Sequence, residues 1–312
     1  MDLNKNRYDL LIVGASAAGV SAAIYAARRK LNFGLVSFDI GGEVATSGEI
    51  ENYPGFNHTD GLELTEKFKA QLQFQGVPVI ESVRVSRIER TGGSFTILGN
   101  IDHTEHAWSA RSVILATGAH PKLLGVSGEK ELRGKGVTYC TTCDGPLFKN
   151  KVVATIGGGN SALESALMLA ELASHVYVVN KNPKFKGDRV LIEKLEAHPN
   201  IEIIYNAKTQ AVEGATNVTG LRYQKSDGAE QTIQVQGVFI HIGLKPNSDM
   251  ADFVDKTPSG EIITDIASRT NVPGFFAAGD VTNTPYKQIT IATGQGAAAA
   301  LSAVTYLNGL AK

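Results

Sequence analysis

The sequence predicts an α/β fold made of two similar parallel-sheet domains, one of them inserted into the other. A glycine-rich turn joins a short apolar segment to a small-residue helix twice, once near residue 14 and again near residue 157. Further apolar segments of strand length end in glycine on either side of the second turn. Alternation of apolar strands with helices is typical of parallel sheets. The 312 residues suffice for two domains of ordinary size.

The composition is that of a globular protein without a strong charge bias. The chain is 43% apolar and 20% charged, with a formal net charge of −1, which argues against nucleic acid or an anionic membrane as the main partner. No apolar stretch reaches the roughly 18 residues of a membrane-spanning helix, and the polar N-terminus lacks a signal-peptide pattern. Two cysteines do not make a disulfide framework. We therefore expect a cytoplasmic protein.

The first glycine-rich turn has the pattern of a dinucleotide-binding βαβ unit. The apolar run 8–13 is predicted to be a buried strand, followed by GASAAG at 14–19 and a helix over 20–28. Asp39 follows the second apolar run, where an acid receives ribose hydroxyls. The turn would present backbone N–H groups to a pyrophosphate. Because Ser16 replaces the usual middle glycine, an ordinary strand–turn–helix joint stays open as an alternative.

The second turn matches the same pattern more completely. A strand is predicted over 151–156, and GGGNSA at 157–162 opens a helix that extends to Leu172. A further strand over 175–179 ends at Asn180. Two such copies in one chain predict two nucleotide sites, each in a Rossmann-like, three-layer ββα domain.

Other apolar segments indicate how the two domains are connected. VILATG at 113–118 and VFIHIG at 238–243 are interpreted as crossovers between domains, although each alone is also compatible with an ordinary strand end. FFAAGD at 275–280 places an acid at the carboxyl end of a strand, where ligand hydroxyls bind. The predicted domains are 1–117 with 248–312, and an inserted domain over 118–247.

Cys140 and Cys143 are the only cysteines, and Asp144 follows them directly. A structural zinc site needs four ligands, and the histidines show no suitable pair, so no metal is predicted. A pair of buried free thiols is another alternative. A redox dithiol is favoured, because C-x-x-C closes a small disulfide ring whose environment can lower one thiol pKa. Asp144 could supply a proton to the departing thiolate, cap the following turn, or do both.

Taken together, the motifs resemble those of low-molecular-weight thioredoxin reductases and of the reductase portion of the alkyl hydroperoxide reductase flavoprotein subunit. The resemblance runs nearly end to end, and CTTCDGPLF (140–148) beside GGGNSALE (157–164) is its most specific part. The other segments that match the family are GASAAG (14–19), GGE (41–43), ENYPGF (51–56), ATGAHPK (116–122), GLKPN (243–247) and AAGDVTNTPYKQI (277–289).

The resemblance implies an FAD domain split around an inserted domain that binds NADPH or NADH and carries the cysteine pair. It also implies a homodimer, a domain rotation during turnover, and a thioredoxin-like or glutaredoxin-like partner, thioredoxin itself included. Cys143 would lie against the flavin, Cys140 would attack the partner disulfide, and Asp144 would be the acid. The residues that match FAD-binding positions are Gly14, Ser16, Ala17, Gly19, Asp39, Gly42, Glu43, Asn52, Ala116, Thr117, Gly118, Gly279, Asp280, Lys287, Gln288 and Ile289.

The chain departs from the thioredoxin reductases at the end of the strand 175–179. Those reductases carry H-R-R-x-x-x-R there, whose arginines grip the 2′-phosphate of NADPH, whereas the peroxide-reductase relatives have an acid and use NADH. Asn180 is neither choice, and lysines replace two of the three arginines. The alternative interpretation of this segment is a positively charged strand–loop edge that faces solvent and binds no nucleotide. The candidate nicotinamide-nucleotide residues are Gly157, Gly159, Asn160, Ser161, Asn180, Lys181 and Lys186.

Several functions stay open at this point, led by an NAD(P)H-dependent disulfide reductase. The same dithiol chemistry with ferredoxin or another flavin as electron donor is favoured by the missing arginines and disfavoured by the intact second glycine turn. A non-catalytic redox sensor is disfavoured by the presence of both cysteines with Asp144. Flavin-only ferredoxin–NADP reductase relatives lack C-x-x-C, and the glutathione-reductase class has its cysteines near the N-terminus.

Overall fold

The computed structural model describes residues 7–47 and 49–310. The first six residues, part of the N-terminus in which no signal peptide is predicted, lie outside the described residues. The chain separates into two compact units, of which the first contains the described residues up to His120 and from Lys245 onward, and the second is Pro121–Leu244. Within the described residues, no helix is both long and apolar enough to cross a bilayer.

The first unit is built on a mixed seven-stranded sheet with three helices. The strands are β1 (Arg7–Ala15), β2 (Phe33–Ile40), β5 (Val79–Ile80), β6 (Arg84–Thr91), β7 (Ser94–Ile101), β8 (Thr104–Leu115) and β19 (Phe275–Ala277), with the small separate pair β3 (Glu49–Ile50) and β4 (Thr59–Asp60). The helices are α1 (Ala17–Arg28), α2 (Gly61–Phe74) and α6 (Ile289–Leu310). The sheet order is β5-β2-β1-β8-β7-β6, with β19 also paired to β8. Strands β5, β2, β1, β8 and β19 are parallel, and β6 and β7 form an antiparallel extension.

Alternate residues of β1 are buried in different layers of the first unit. Leu10 and Ile12 pack in one core with α1, α2 and α6, whereas Leu11 and Val13 pack in the other, as the two-residue period of a strand requires. Helices α1 and α6 approach closely, since a β-carbon on Gly296 would lie 2.0 Å from the carbonyl oxygen of Ala18. The alanine-rich sequence of α6 is therefore explained by backbone-to-backbone packing against α1.

The second unit has a parallel five-stranded sheet and a smaller antiparallel one. The parallel strands are β10 (Val137–Thr138), β11 (Val152–Ile156), β12 (His175–Val179), β13 (Ile201–Ile204) and β17 (Gly237–Ile240), in the order β10-β17-β11-β12-β13. The antiparallel sheet consists of β14 (Ala207–Gly214), β15 (Val218–Lys225) and β16 (Glu230–Gln234). The helices are α3 (Thr141–Asp144), α4 (Asn160–Ala170) and α5 (Arg189–Glu196), and a 3-10 turn spans Gly145–Phe148. The connecting strands β9 (Ala119–Pro121) and β18 (Leu244–Pro246) pair with each other.

The predicted α/β class with parallel sheets is confirmed, and the element bounds differ by a few residues. Helix α1 begins at Ala17 rather than at residue 20, and α4 ends at Ala170 rather than at Leu172. Strand β19 ends at Ala277, so the acid that follows it lies in a turn rather than on the strand. Strand β12 has the predicted bounds.

Candidate functional site

The turn between β1 and α1 requires glycine at two positions. Gly14 has φ +103°, and a β-carbon there would lie 2.4 Å from the carbonyl oxygen of Ala116. A β-carbon on Gly19 would lie 1.7 Å from the carbonyl oxygen of Gly14. The side chain of the N-cap residue Ser16 makes no capping hydrogen bond, so the first N–H groups of α1 suit a phosphate.

Ser16 has a structural partner that its position in the motif does not reveal. Its hydroxyl donates to the carbonyl oxygen of Gly41 at 2.6 Å, which ties the start of α1 to the turn after β2. In that turn the N–H of Gly42 donates to Asp39 Oδ1 at 3.1 Å, while Ala17 is buried in the first turn of α1. Four of the predicted FAD residues, Ser16, Ala17, Asp39 and Gly42, therefore lie around two neighbouring turns, which are held together by the serine that replaces the usual glycine.

The carboxylate of Glu43 is paired with a histidine that the motifs did not single out. His120 Nδ1 lies 2.6 Å from Glu43 Oε1, and both side chains are partly exposed. The two residues are 77 positions apart, so no local sequence pattern predicts that they pair. Glu43, one of the predicted FAD residues, therefore has an imidazole partner in this chain.

Asp280 follows β19 and carries a buried carboxyl group. Burial raises the pKa of this carboxyl to about 6, the positive charge of Lys287 opposes the shift, and the negative charge of Glu43 adds to it. Lys287 itself is engaged elsewhere, because its ammonium group donates to Glu261 Oε1 at 2.8 Å and to the carbonyl oxygen of Thr282 at 2.7 Å. A desolvated carboxyl at the end of a parallel strand suits a ligand that brings hydroxyl donors.

Two further predicted residues meet although they are 236 positions apart. Asn52 Nδ2 donates to Gln288 Oε1 at 3.4 Å, and Ile289 begins α6 directly afterwards. The segment 116–118 is held separately: Thr117 Oγ1 donates to the carbonyl oxygen of Asn247 at 2.6 Å, and Asn247 Nδ2 donates back to the carbonyl oxygen of Thr117 at 2.8 Å. Asn247 is a positioning residue that the sequence motifs did not assign to the site.

These residues of the first unit fit FAD. The glycines of the first turn leave no side chain between the backbone and a pyrophosphate, and Asp39 lies at the end of β2. Gly279 has φ +80° and lies close to α1, since a β-carbon added there would lie 3.1 Å from Ala18 Cβ. The buried Asp280 carboxyl calls for hydroxyl donors such as those of a ribityl chain. When bound, FAD supplies two-electron transfer between a nicotinamide and a disulfide.

The second glycine turn is equally close-packed. Gly157 has φ +149°, and a β-carbon there would lie 2.3 Å from the carbonyl oxygen of His241. Gly159 is the N-cap of α4, with open space around it. Asn160 bridges to the next loop, since Asn160 Nδ2 donates to Asp188 Oδ2 at 2.9 Å and Asn160 Oδ1 accepts from the N–H of Asp188 at 2.8 Å. Ser161 is exposed in the first turn of α4. The turn has the form that a nucleotide pyrophosphate requires.

Asn180 is buried and engaged with its own loop. Its Nδ2 donates to the carbonyl oxygen of Lys184 at 3.0 Å, and its Oδ1 accepts from the N–H of Asn182 at 3.1 Å. Lys181 and Lys186 are exposed on the same loop, and the N–H of Lys186 donates to the carbonyl oxygen of Gly158 at 2.7 Å. The side chain of Asn180 therefore shapes the loop that carries the two lysines.

Cys140 and Cys143 form a disulfide, and the predicted redox pair is thereby confirmed over a pair of free thiols. The N–H of Cys143 donates to Cys140 Sγ at 3.2 Å. The Asp144 carboxylate accepts a hydrogen bond from the hydroxyl of Thr138, which in turn accepts from the N–H of Cys140 at 3.2 Å. Asp144 is the N-cap residue of the 3-10 turn, as the alternative interpretation of its role predicted, but its side chain makes no capping hydrogen bond there. The carboxyl bonds instead to the strand residue that precedes the cysteines.

Two polar residues beside the disulfide were not assigned to the site from the sequence: Glu129, which is buried, and His241, which is partly buried. The Glu129 carboxylate accepts from the N–H groups of Leu124 and Gly125 at 2.8 and 2.7 Å and from the hydroxyl of Tyr139 at 3.0 Å. His241 Nε2 lies 2.8 Å from Thr141 Oγ1. The contact of His241 could not be predicted, because it joins residues 100 positions apart that only the tertiary fold brings together.

The order of strands explains why the disulfide and the second glycine turn are neighbours. Strand β17 lies between β10 and β11, and all three are parallel. The chain continues from β10 into the cysteines, from β17 into His241 and from β11 into the glycine turn. Parallel strands bring their carboxyl ends to one edge of the sheet, which is where ligands bind in such folds.

The first unit has one dinucleotide turn, and the second unit has another together with a disulfide at the carboxyl edge of its parallel sheet. This combination defines a class of redox protein. A family model described as pyridine nucleotide-disulphide oxidoreductase matches residues 8–296, and the chain belongs to this family. The predicted class of flavin-dependent disulfide oxidoreductase, with FAD and NAD(P)H as cofactors, is confirmed at the level of the family.

Particular relatives agree with the resemblance drawn from the motifs. The chain is 44% identical over 314 residues to a subunit of the alkyl hydroperoxide reductase of Escherichia coli, covering 98% of this chain and 60% of that protein. It is 42% identical over 307 residues to a protein named NADH dehydrogenase from Ferdinandcohnia aciditolerans, covering 97% of this chain and 58% of the relative. The chain thus spans about three fifths of the curated relatives it matches.

A solved structure matches over almost its full length. The thioredoxin reductase of Streptococcus pyogenes superposes with a TM-score of 0.91 at 34% identity, covering 97% of this chain and 99% of that one. The predicted two-domain fold is confirmed by this likeness.

Proposed function

We propose that this chain reduces a disulfide of a thioredoxin-like protein with electrons from NAD(P)H, passed through FAD and the Cys140–Cys143 disulfide. The observation that carries the proposal is the disulfide itself, which lies at the same sheet edge as a dinucleotide turn. The identity to an alkyl hydroperoxide reductase subunit and to a thioredoxin reductase supports the same class of reaction.

The cysteines exchange with the acceptor disulfide after two electrons have opened their own bond. The Cys140 thiolate attacks one acceptor sulfur and releases the other as a thiol, which leaves a mixed disulfide. Cys143 then attacks Cys140, which restores the bond between them and releases the second acceptor thiol. Asp144 supplies a proton to a departing thiolate; it follows Cys143 directly in the same turn, and a hydrogen bond from Thr138 holds its carboxyl group.

The nucleotide loop of the second unit supports both NADH and NADPH as donor. No carboxylate stands at the end of β12 to repel a 2′-phosphate, because Asn180 occupies that position with a neutral, buried amide. Lys181 and Lys186 provide positive charge without the planar fork of arginine. The selectivity between the two nucleotides is accordingly expected to be small, and its dependence on salt should be large.

Anaerobic mixing of the FAD-loaded protein with NADH and with NADPH tests the donor. We expect loss of the oxidised-flavin absorbance within milliseconds to seconds with either nucleotide. Lys181→Glu together with Lys186→Glu should slow reduction by NADPH much more than reduction by NADH. Reduction by ferredoxin and by neither nucleotide would select the alternative donor.

Turnover with a panel of thioredoxins, glutaredoxins and peroxiredoxins tests the acceptor. Cys140→Ser should leave flavin reduction by NAD(P)H intact and abolish disulfide turnover. Thr142→Ala is the matched control, since Thr142 is exposed between the two cysteines and this variant should retain turnover. Wild-type protein that is reduced by NAD(P)H but turns over no member of the panel would refute the proposed acceptor.

A further inference from the structure

A buried hydrogen-bonded chain leads from the disulfide turn into the core of the second unit. Thr141, between the two cysteines, is buried, and its Oγ1 lies 2.8 Å from His241 Nε2 and 2.6 Å from Ser165 Oγ on α4. Ser165 Oγ lies in turn 3.5 Å from Thr155 Oγ1 on β11, and both residues are buried. The end of β17 and helix α4 therefore anchor the buried Thr141 side chain directly, and β11 supports the second contact through Ser165.

The opening of the disulfide changes what holds this turn in place. While Cys140 and Cys143 are bonded, the small covalent ring restrains the four residues by itself. Once the bond is reduced, only hydrogen bonds keep the two cysteines in the geometry of α3, which is a single short turn. An anchor on Thr141 therefore stabilises the dithiol form more than the disulfide form.

We propose that His241 and Thr141 are positioning residues of the redox centre, which favour its reduced state by holding the C-x-x-C turn when the disulfide is open. The inference rests on the proposed function, because it assumes that this disulfide is reduced and reoxidised in turnover. The inference adds His241 to the residues of the redox centre, although this histidine follows β17 and lies 100 positions from Thr141 in the sequence.

The surroundings of His241 make it a rigid anchor. Its N–H donates to the carbonyl oxygen of Ile156 at 2.8 Å, and its own carbonyl oxygen lies against Gly157, where a β-carbon would come within 2.3 Å. The backbone of His241 is thus fixed by β11 and the second glycine turn. Burial lowers the pKa of the imidazole to about 4, so the ring stays neutral at physiological pH.

The test is the equilibrium of the disulfide in the FAD-loaded protein with reduced and oxidised dithiothreitol, under anaerobic conditions. Dithiothreitol gives up two electrons and two protons to become its cyclic disulfide, and Cys140 and Cys143 become two thiols. Alkylation and mass spectrometry then count the free thiols. The measurement needs neither a nicotinamide nor an acceptor protein, so it can succeed or fail independently of the proposed function.

His241→Leu is expected to shift this equilibrium toward the disulfide by about threefold to tenfold, the effect of one lost hydrogen bond. That shift corresponds to a midpoint potential more negative by about 15–30 mV. His241→Gln, which keeps a side-chain amide able to bond the Thr141 hydroxyl, should stay close to wild type. Thr141→Val, which removes the contacts to both His241 and Ser165, should shift the equilibrium in the same direction and at least as far. The double variant His241→Leu with Thr141→Val should add little to the shift of Thr141→Val alone.

Thr209→Val is the matched control, because Thr209 on β14 is a buried threonine of the same unit whose hydroxyl has no partner among the described residues. It should leave the equilibrium unchanged. Thr141→Val gives the same test if His241→Leu does not fold. The proposal is overturned if Thr141→Val and His241→Leu both match wild type, if His241→Gln shifts as far as His241→Leu, or if Thr209→Val shifts equally.

Discussion

Replacement of His241 by glutamine should change how the stability of the second unit depends on pH. Burial lowers the pKa of this imidazole from 6.5 to about 4, so between these values the unfolded chain binds a proton that the folded protein does not. The free energy of unfolding therefore falls as the pH falls through this window. The imidazole alone accounts for a loss of about 3 kcal/mol, which glutamine, having no proton to bind, would remove.

The assay is urea unfolding of wild-type and His241→Gln protein at a series of pH values across this window, with hydrogen exchange of peptides from β17 and α4 to report on the second unit. Other acids titrate in both proteins, so the informative quantity is the difference between the two unfolding free energies. That difference should shift in favour of His241→Gln as the pH falls. Thr141→Val keeps the imidazole and should keep the wild-type pH dependence. A difference that is constant with pH would refute a buried neutral imidazole.

Three other predictions follow from the described contacts. Gly14→Ala should destabilise the first unit by about 1–3 kcal/mol and reduce the FAD that copurifies, measured by flavin absorbance, because its β-carbon would lie 2.4 Å from a carbonyl oxygen; full FAD content would contradict the proposed site. Glu129→Gln should lower the free energy of unfolding by about 1–3 kcal/mol, measured in urea, because three donors face the carboxylate; unchanged stability would show that they do not depend on its charge. Asp280→Asn should stabilise the FAD-free protein near neutral pH by up to about 3 kcal/mol and weaken FAD binding. Burial raises the pKa of this carboxyl from 3.8 to about 6, so the folded protein carries the cost of a buried charge only once the pH has risen through that window. If the two proteins are equally stable on both sides of the window, the prediction is contradicted.

The glycine turns could be predicted because their cause is local. A strand that turns sharply into a helix brings its own backbone within contact distance, so only glycine fits at Gly19. The positive φ angles of Gly14 and Gly157 are likewise a local conformation that glycine adopts readily. The disulfide between Cys140 and Cys143 is also local, since three positions along one turn suffice to close it.

Side-chain partners across the fold could not be predicted in this way. Ser16 weakens the match to the dinucleotide-binding motif, where a glycine is usual, yet its hydroxyl donates a hydrogen bond that holds the turn after β2. Asn180 was a candidate for nucleotide binding by its position in the sequence, and the structure adds that its amide bonds the backbone of its own loop. Its role in nucleotide binding stays a prediction, as do those of the other residues proposed for FAD and NAD(P)H.

The sequence by itself determined the class of fold, the two dinucleotide turns and the redox pair, because each depends on residues within one βαβ unit or one turn. Only the tertiary structure decided that β17 lies between β10 and β11, and so that His241 reaches Thr141. The pairing of parallel strands is set by packing over the whole sheet, and no local pattern encodes it. The neighbours of the disulfide are for this reason a property of the fold.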